Sequence, residues 1–186
     1  RYLRCIANEE GRMSETLTVL EPLQQVDKAD MRAKVFALER AMLNEADAYV
    51  SGGNRDIDEL CPVKHHFSQG VYAREMIIPK GTIVTGKIHK YTQLNILLCG
   101  ELSVLTENGI KRIKPPFVVV SPPGTKRVAY AHEDSRWLTI HGTDETDVEK
   151  IEQRFIAQNE QEYIEFVEQA KQLEEKEKDK LCLGHN

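Results

Sequence analysis

Between Val63 and Gly142, short runs rich in Val, Ile, Thr, Tyr and Phe alternate with turn signals, and this punctuation limits the folds open to the chain. The signals are Pro79-Lys80-Gly81, Gly100, Glu107-Asn108-Gly109, Pro115-Pro116 and Pro122-Pro123-Gly124. Apolar runs this short, closed by Gly and Pro, predict an antiparallel barrel or sandwich rather than helices. Asn108-Gly109 between Glu101–Thr106 and Ile110–Lys114 predicts a two-residue hairpin.

On either side the period changes. Over residues 27–50, Met31, Val35, Leu38, Met42 and Leu43 recur at helical spacing, and Ser51-Gly52-Gly53-Asn54 marks the stop. Residues 1–26 form an N-terminal extension, and 51–62 read as a polar linker ending at Pro62. After the barrel segment 63–142, residues 143–186 predict a helical C-terminal segment. Thr146-Asp147-Val148-Glu149 has the form of a capping box. Val148, Ile151, Phe155 and Ile156 make one apolar stripe. A second helix runs from about Asn159 to Lys180 with Tyr163, Phe166, Val167, Ala170 and Leu173 on one face. These helices are expected to cover a barrel edge or to form oligomer contacts.

Charge follows the same division. The net charge of −5 splits into −4 for residues 1–62, +6 for 63–142 and −7 for 143–186, so the β-rich block is basic within an acidic chain. That balance, with acidic ends and no extended basic helix, argues against duplex DNA as a partner. No run approaches the roughly 18–20 apolar residues of a membrane span, and charges interrupt the apolar steps of RYLRCIANEEGRM, unlike a secretory signal. Cys5, Cys61, Cys99 and Cys182 show no CxxC pairing, so free thiols and a cytoplasmic location are expected. Walker and Rossmann glycine motifs are absent, and no Ser or Cys stands in a nucleophile context.

Within the basic block the chain reads Gly81-TIVTG-Lys87-Ile88-His89-KYT-Gln93-LNILLC-Gly100, then Pro122-Pro123-Gly124-Thr125-Lys126-Arg127. The first stretch resembles the cupin motif G-x5-H-x-H-x3-E-x6-G, and the second resembles P-x-G-x2-H. The resemblance implies a mainly β, cupin-like double-stranded β-barrel (jelly roll), carrying here an N-terminal helix and C-terminal helices. In metal-binding cupins three His and one Glu hold a divalent ion. Here those positions are Lys87, His89, Gln93 and Arg127, and an ammonium and a guanidinium do not ligate metals. No metal or cofactor is therefore expected.

Residues 87, 89 and 93 share one strand face, and a barrel brings residue 127 opposite them. Lys87, His89, Gln93 and Arg127 are then expected to surround a cationic cavity for an anionic ligand, with Arg offering a bidentate fork. Tyr72, Arg74, Tyr91, Lys126 and Tyr130 are further candidate contacts. The alternative is that these side chains point outward or pair with Glu75, Glu101 or Glu133. His65 and His66 are neighbours on a strand and face opposite sides, and His141 reads as a structural histidine.

The stretch from His65 to His141 also resembles small cupin-like proteins of tailed bacteriophages, some of which act as sponges for the cyclic-nucleotide signals of CBASS defence. The resemblance implies a homo-oligomeric, non-enzymatic protein that sequesters a phosphorylated small molecule, with a cyclic nucleotide as leading ligand. A metal-independent isomerase or epimerase, with His89 as general base and Lys87 or Arg127 as electrophile, is the second reading. A structural or assembly phage protein is the third.

Overall fold

The computed structural model describes residues 4–7, 28–45, 48–50, 56–106 and 109–183. Most of the N-terminal extension, the Ser51-Gly52-Gly53-Asn54 stop and Asn108 of the hairpin lie outside the described residues. The chain runs β1 (Arg4–Ala7), α1 (Lys28–Met42), β2 (Ala48–Val50), α2 (Ile57–Leu60), β3 (Val63–Ser68), β4 (Val71–Ile78), β5 (Thr82–Thr85) and β6 (Ile88–His89). It continues through β7 (Gln93–Cys99), β8 (Leu102–Thr106), β9 (Gly109–Ile113), β10 (Phe117–Ser121), β11 (Val128–Ala131) and β12 (Ser135–Gly142). The chain ends with α3 (Val148–Phe155), β13 (Ile156–Ala157) and α4 (Glu160–Leu183).

Eight of these strands form two antiparallel sheets, β5-β11-β8-β9 facing β10-β7-β12-β4. From β4 onward the chain changes sheet at each connection between these eight except the β8–β9 hairpin, which is the jelly-roll topology the sequence implied. Gly81 and Gly100, the glycines that bracket the first motif, adopt φ of 82° and 85°. L-residues avoid this region, so the turns that reverse the chain there require glycine.

Several boundaries differ from those the sequence predicted. The helix expected over 27–50 ends at Met42, and β2 pairs with β1, which pairs in turn with β5 and widens that sheet. The expected linker holds α2, capped by Asp56, whose carboxylate accepts from Asp58 N. At α3 the cap is Asp147, accepting from Glu149 N and Lys150 N, and Thr146 does not form the expected capping box. Glu145 instead accepts from Thr146 N and Asp147 N. The last helix begins at Glu160 and reaches Leu183 rather than spanning 159–180.

The core is polarised along the barrel axis. At one end Ile57 and Cys61 of the α2 segment pack with Met76, Ile78, Leu97 and Leu102. At the other, Ile151 and Phe155 of α3 pack on Tyr72. The helices are therefore stoppers as well as edge covers. α3 is held in place by the Ile156↔His89 pairing of β13 with β6 and by Lys90 N donating to Phe155 O at 2.8 Å. The Lys90 ammonium adds an ion pair to Glu162 at 2.7 Å.

α1 is tied to the second motif by charge. Lys126 Nζ meets Glu39 Oε1 at 2.7 Å with both side chains 3% exposed, and donates to Gly86 O at 2.6 Å. Arg32 forms a forked pair with Glu160 and donates to Gly124 O. No helix among the described residues is long and apolar enough to cross a membrane.

Breaking a buried pair strands a charge, whereas replacing both partners by apolar groups does not. Glu39→Ala is therefore expected to cost about 3–5 kcal/mol in urea unfolding. The double variant Glu39→Leu/Lys126→Met should recover most of that loss.

Candidate functional site

Because side chains alternate across a sheet, register determines which residues meet inside the barrel. On β4 the inward residues are Tyr72, Arg74, Met76 and Ile78, which stand beside His141, Thr139, Trp137 and Ser135 of β12. β7 continues the rows, with Asn95 beside Thr139 and Leu97 beside Trp137. The wall is thus graded, with Tyr72, Arg74, Thr139 and His141 at the α3 end and Met76, Ile78, Trp137 and Leu97 towards α2. Val84, Gly86 and Ala129 on the facing sheet are small, and the space left between the sheets is a cavity of about 140 Å³.

Of the nine candidate contacts, Tyr72, Arg74, Lys87, His89, Gln93 and Arg127 line this cavity. Tyr91, Lys126 and Tyr130 do not. Tyr91 packs edge-on against Phe155 and Phe166, holding the two C-terminal helices together. Lys126 is turned to Glu39, opposite in direction to its neighbour Arg127, as expected for successive residues. Tyr130 stands edge-on to His132, away from the cavity. Two of the three glutamates considered as alternative partners are occupied elsewhere. Glu75 accepts from Arg136 and His66, and Glu101 from Arg112 and Lys114.

The cations inside differ in how they are balanced. Lys87 Nζ pairs with Glu152 Oε1 of α3 at 2.7 Å, a partner the sequence did not suggest. Arg127 Nη1 donates to Ser121 Oγ at 2.5 Å. Ser121 Oγ also accepts from Asn95 Nδ2 at 2.9 Å, and Asn95 Oδ1 accepts from Thr139 Oγ1 at 2.9 Å. Arg74 has no hydrogen bond or ion pair among the described residues. Arg74 lines the cavity, and burial holds its guanidinium below the ordinary arginine range against the opposing charges of Glu152 and Asp58.

Polar groups beside it are also unpartnered. Gln93 is 5% exposed and its Oε1 has no hydrogen-bond partner among the described residues, nor do Nδ1 of His89 and Nδ1 of His141. The two imidazoles stack with centroids 5.3 Å apart, and Phe155 closes on His141 at 4.4 Å. Burial, then His141, Arg74, Lys87 and Arg127, push His89 well below the ordinary histidine value, and burial lowers His141 to about 4. Tyr72 is raised to about 12 by burial, and its hydroxyl bonds His65 Nδ1 at 2.8 Å.

The donor set does not fit the metal that the cupin resemblance implies. The four ligand positions present an ammonium, an imidazole, an amide and a guanidinium. Among the described residues no group of three or more His, Cys, Asp or Glu is placed to hold an ion. His89 and His141 alone adjoin, with Arg74, Lys87 and Arg127 repelling any cation brought to them.

Sequence reasoning missed His141 and Glu152 as cavity residues. For His141 the signal was the phase of Trp137, Thr139 and His141 on one strand. Glu152 follows Ile151 on the stripe that α3 buries, and nothing local marks it.

No family model matches the chain, and no curated protein matches it in sequence. Solved structures similar to it include KdgF from Halomonas sp., 20% identical, with a TM-score of 0.42 over 50% of this chain and 87% of that one. The Cupin_2 domain of an XRE family transcriptional regulator from Enterobacter cloacae is 12% identical, with a TM-score of 0.39 over 44% and 94%. A cupin superfamily protein from Desulfitobacterium hafniense is 16% identical, with a TM-score of 0.39 over 45% and 78%.

The lowered imidazoles make stability pH-dependent. Between the ordinary histidine value of 6.5 and about 4, the unfolded chain takes up a proton at residue 141 that the folded chain resists. Stability is therefore unaffected by this group above 6.5 and falls as pH drops below it. The loss reaches roughly 3 kcal/mol near pH 4. Urea midpoints from pH 7.5 to 4 should show it, and His141→Phe should flatten the slope.

Proposed function

We propose that this chain is a non-enzymatic binding protein that holds one small organic anion inside the barrel. One observation carries the reading: the Arg74 guanidinium lies in the cavity with no ion-pair or hydrogen-bond partner among the described residues. A partly buried guanidinium whose donors bond no protein group loses the hydrogen bonds that water would give it. An anion held by its fork offsets that loss with charge-assisted hydrogen bonds. His89, His141 and Gln93 add polar atoms with nothing else to bond.

A phage sponge for a cyclic-nucleotide signal is the special case suggested by the sequence resemblance. A cyclic dinucleotide carries two bases, two sugars and two phosphates, and a cavity of about 140 Å³ does not take it with α3 seated. To be enclosed whole, that ligand would require a wider cavity, such as lifting α3 and breaking the Lys87–Glu152 pair and the β6–β13 bridge would give. A cavity of about 150 Å³ admits a benzene-sized molecule, so a small anion needs no such opening. Isomerase chemistry through His89 has weaker support. Burial, then His141 and three neighbouring cations, hold its ring weakly basic, and no carboxylate among the described residues bonds it to orient it.

Arg74→Met tests the reading. Without ligand it should raise stability by ~1–4 kcal/mol, since it replaces a buried charge with an apolar chain of similar length. It should also abolish any thermal shift that small phosphates or carboxylates give the unaltered protein. A variant that is destabilised, yet keeps its anion-dependent shift, removes Arg74 from the site and the proposal with it.

A further inference from the structure

Resting on the anion-binding reading, we infer that the ligand is a small monocarboxylate with an apolar, benzene-sized body and a hydrogen-bonding substituent beside its acid group. The inference comes from the order of residues along the barrel axis. Arg74 lies in the second row from the α3 end, with Tyr72 and His141 in the row nearer α3. Met76 and Trp137 form the next row towards α2, backed by Ile78. A ligand whose charge meets Arg74 must therefore place its remaining atoms against apolar side chains, with its head towards α3.

Charge balance selects a carboxylate over a phosphate. Lys87 is neutralised by Glu152, whose carboxylate itself lines the cavity. Arg127 is engaged through Nη1 by Ser121, and both imidazoles are held neutral. A planar monoanion matches the guanidinium fork of Arg74 through two parallel hydrogen bonds. A phosphate dianion brings a second negative charge close to Glu152, and balancing it means taking Lys87 away from that partner.

The substituent is read from the unpartnered amide. Gln93 Oε1 is an acceptor buried in the wall, and a ligand hydroxyl or N–H is what it lacks. Leaving such an atom unpaired is costly, so a ligand that reaches it gains affinity and selectivity.

Isothermal titration of the full chain with a defined set of probes tests the inference. The probes are benzoate, 2-hydroxybenzoate, benzamide, acetate and phenyl phosphate. Benzoate is expected to bind, with benzamide and acetate weaker by more than about tenfold because each lacks the charge or the apolar body. Phenyl phosphate should also be weaker than benzoate. The hydroxyl of 2-hydroxybenzoate, beside the acid group, should improve affinity by about three- to tenfold, and Gln93→Leu should erase that gain, so that the variant binds the two probes equally. If Gln93→Leu fails to fold, the comparison of benzoate with its hydroxylated form decides alone.

Phenyl phosphate binding as tightly as benzoate, or more tightly, overturns the carboxylate class and leaves the anion chamber standing. Equal affinities for benzoate and acetate overturn the apolar body. If neither benzoate nor phenyl phosphate binds, the inference fails. If small phosphates and carboxylates also give no thermal shift, the anion-binding reading fails with it.

Discussion

A guanidinium drawn out of water needs partners for its donors, and no described residue hydrogen-bonds or ion-pairs with Arg74, on which Glu152 and Asp58 act only at a distance. The rest of the site can be understood from that constraint. Each other charge in the cavity has a local partner: Lys87 pairs with Glu152, and Arg127 joins the chain Ser121–Asn95–Thr139. The imidazoles are disfavoured from carrying charge, His141 by burial and His89 by burial, then by His141 and the cations beside it. A site that engages Lys87 and Arg127 within its walls, yet leaves the Arg74 donors unbonded beside a cavity, has the form of a receptor for an anion.

The helices cover the two ends of the jelly roll. α2 fills one end with Ile57 and Cys61, and α3 covers the other with Ile151 and Phe155. The ion pairs that seat α3 also set the electrostatics of the site. Glu152 both holds the helix over the barrel and cancels Lys87, so lifting α3 would change the cavity's charge as well as its volume. The second motif divides its two basic residues along the same line. Lys126 faces α1 and is structural, while Arg127 faces the cavity.

Much of this was legible in the sequence because it rests on local rules. The turns at Gly81 and Gly100 demand positive φ, and the alternation of short apolar runs fits strands alone, so the jelly roll follows from punctuation and period. Tyr72 and Arg74 were expected contacts, and the register of β4 sets them on one face with Met76 and Ile78. What was not legible depends on pairing across long sequence distances. Nothing in Lys87 or Glu152 announces that they meet, since α3 reaches the barrel only through β13 and β6. Lys126 read as a ligand contact because the sequence does not say which side of the barrel α1 covers. The helix over 27–50 was drawn too long because Ala48–Val50 has a tertiary reason to be extended, its pairing with β1, that outweighs local propensity.

The central claim is that Arg74 receives the anion, and its side-chain Nε–H resonance in 15N NMR reports on that group directly. Titration with benzoate should move this signal downfield and slow its exchange with water, saturating at one equivalent, with smaller changes at His89 and His141. An Arg74 signal that stays fixed while other resonances shift to saturation would mean that the anion sits elsewhere, and would contradict the account.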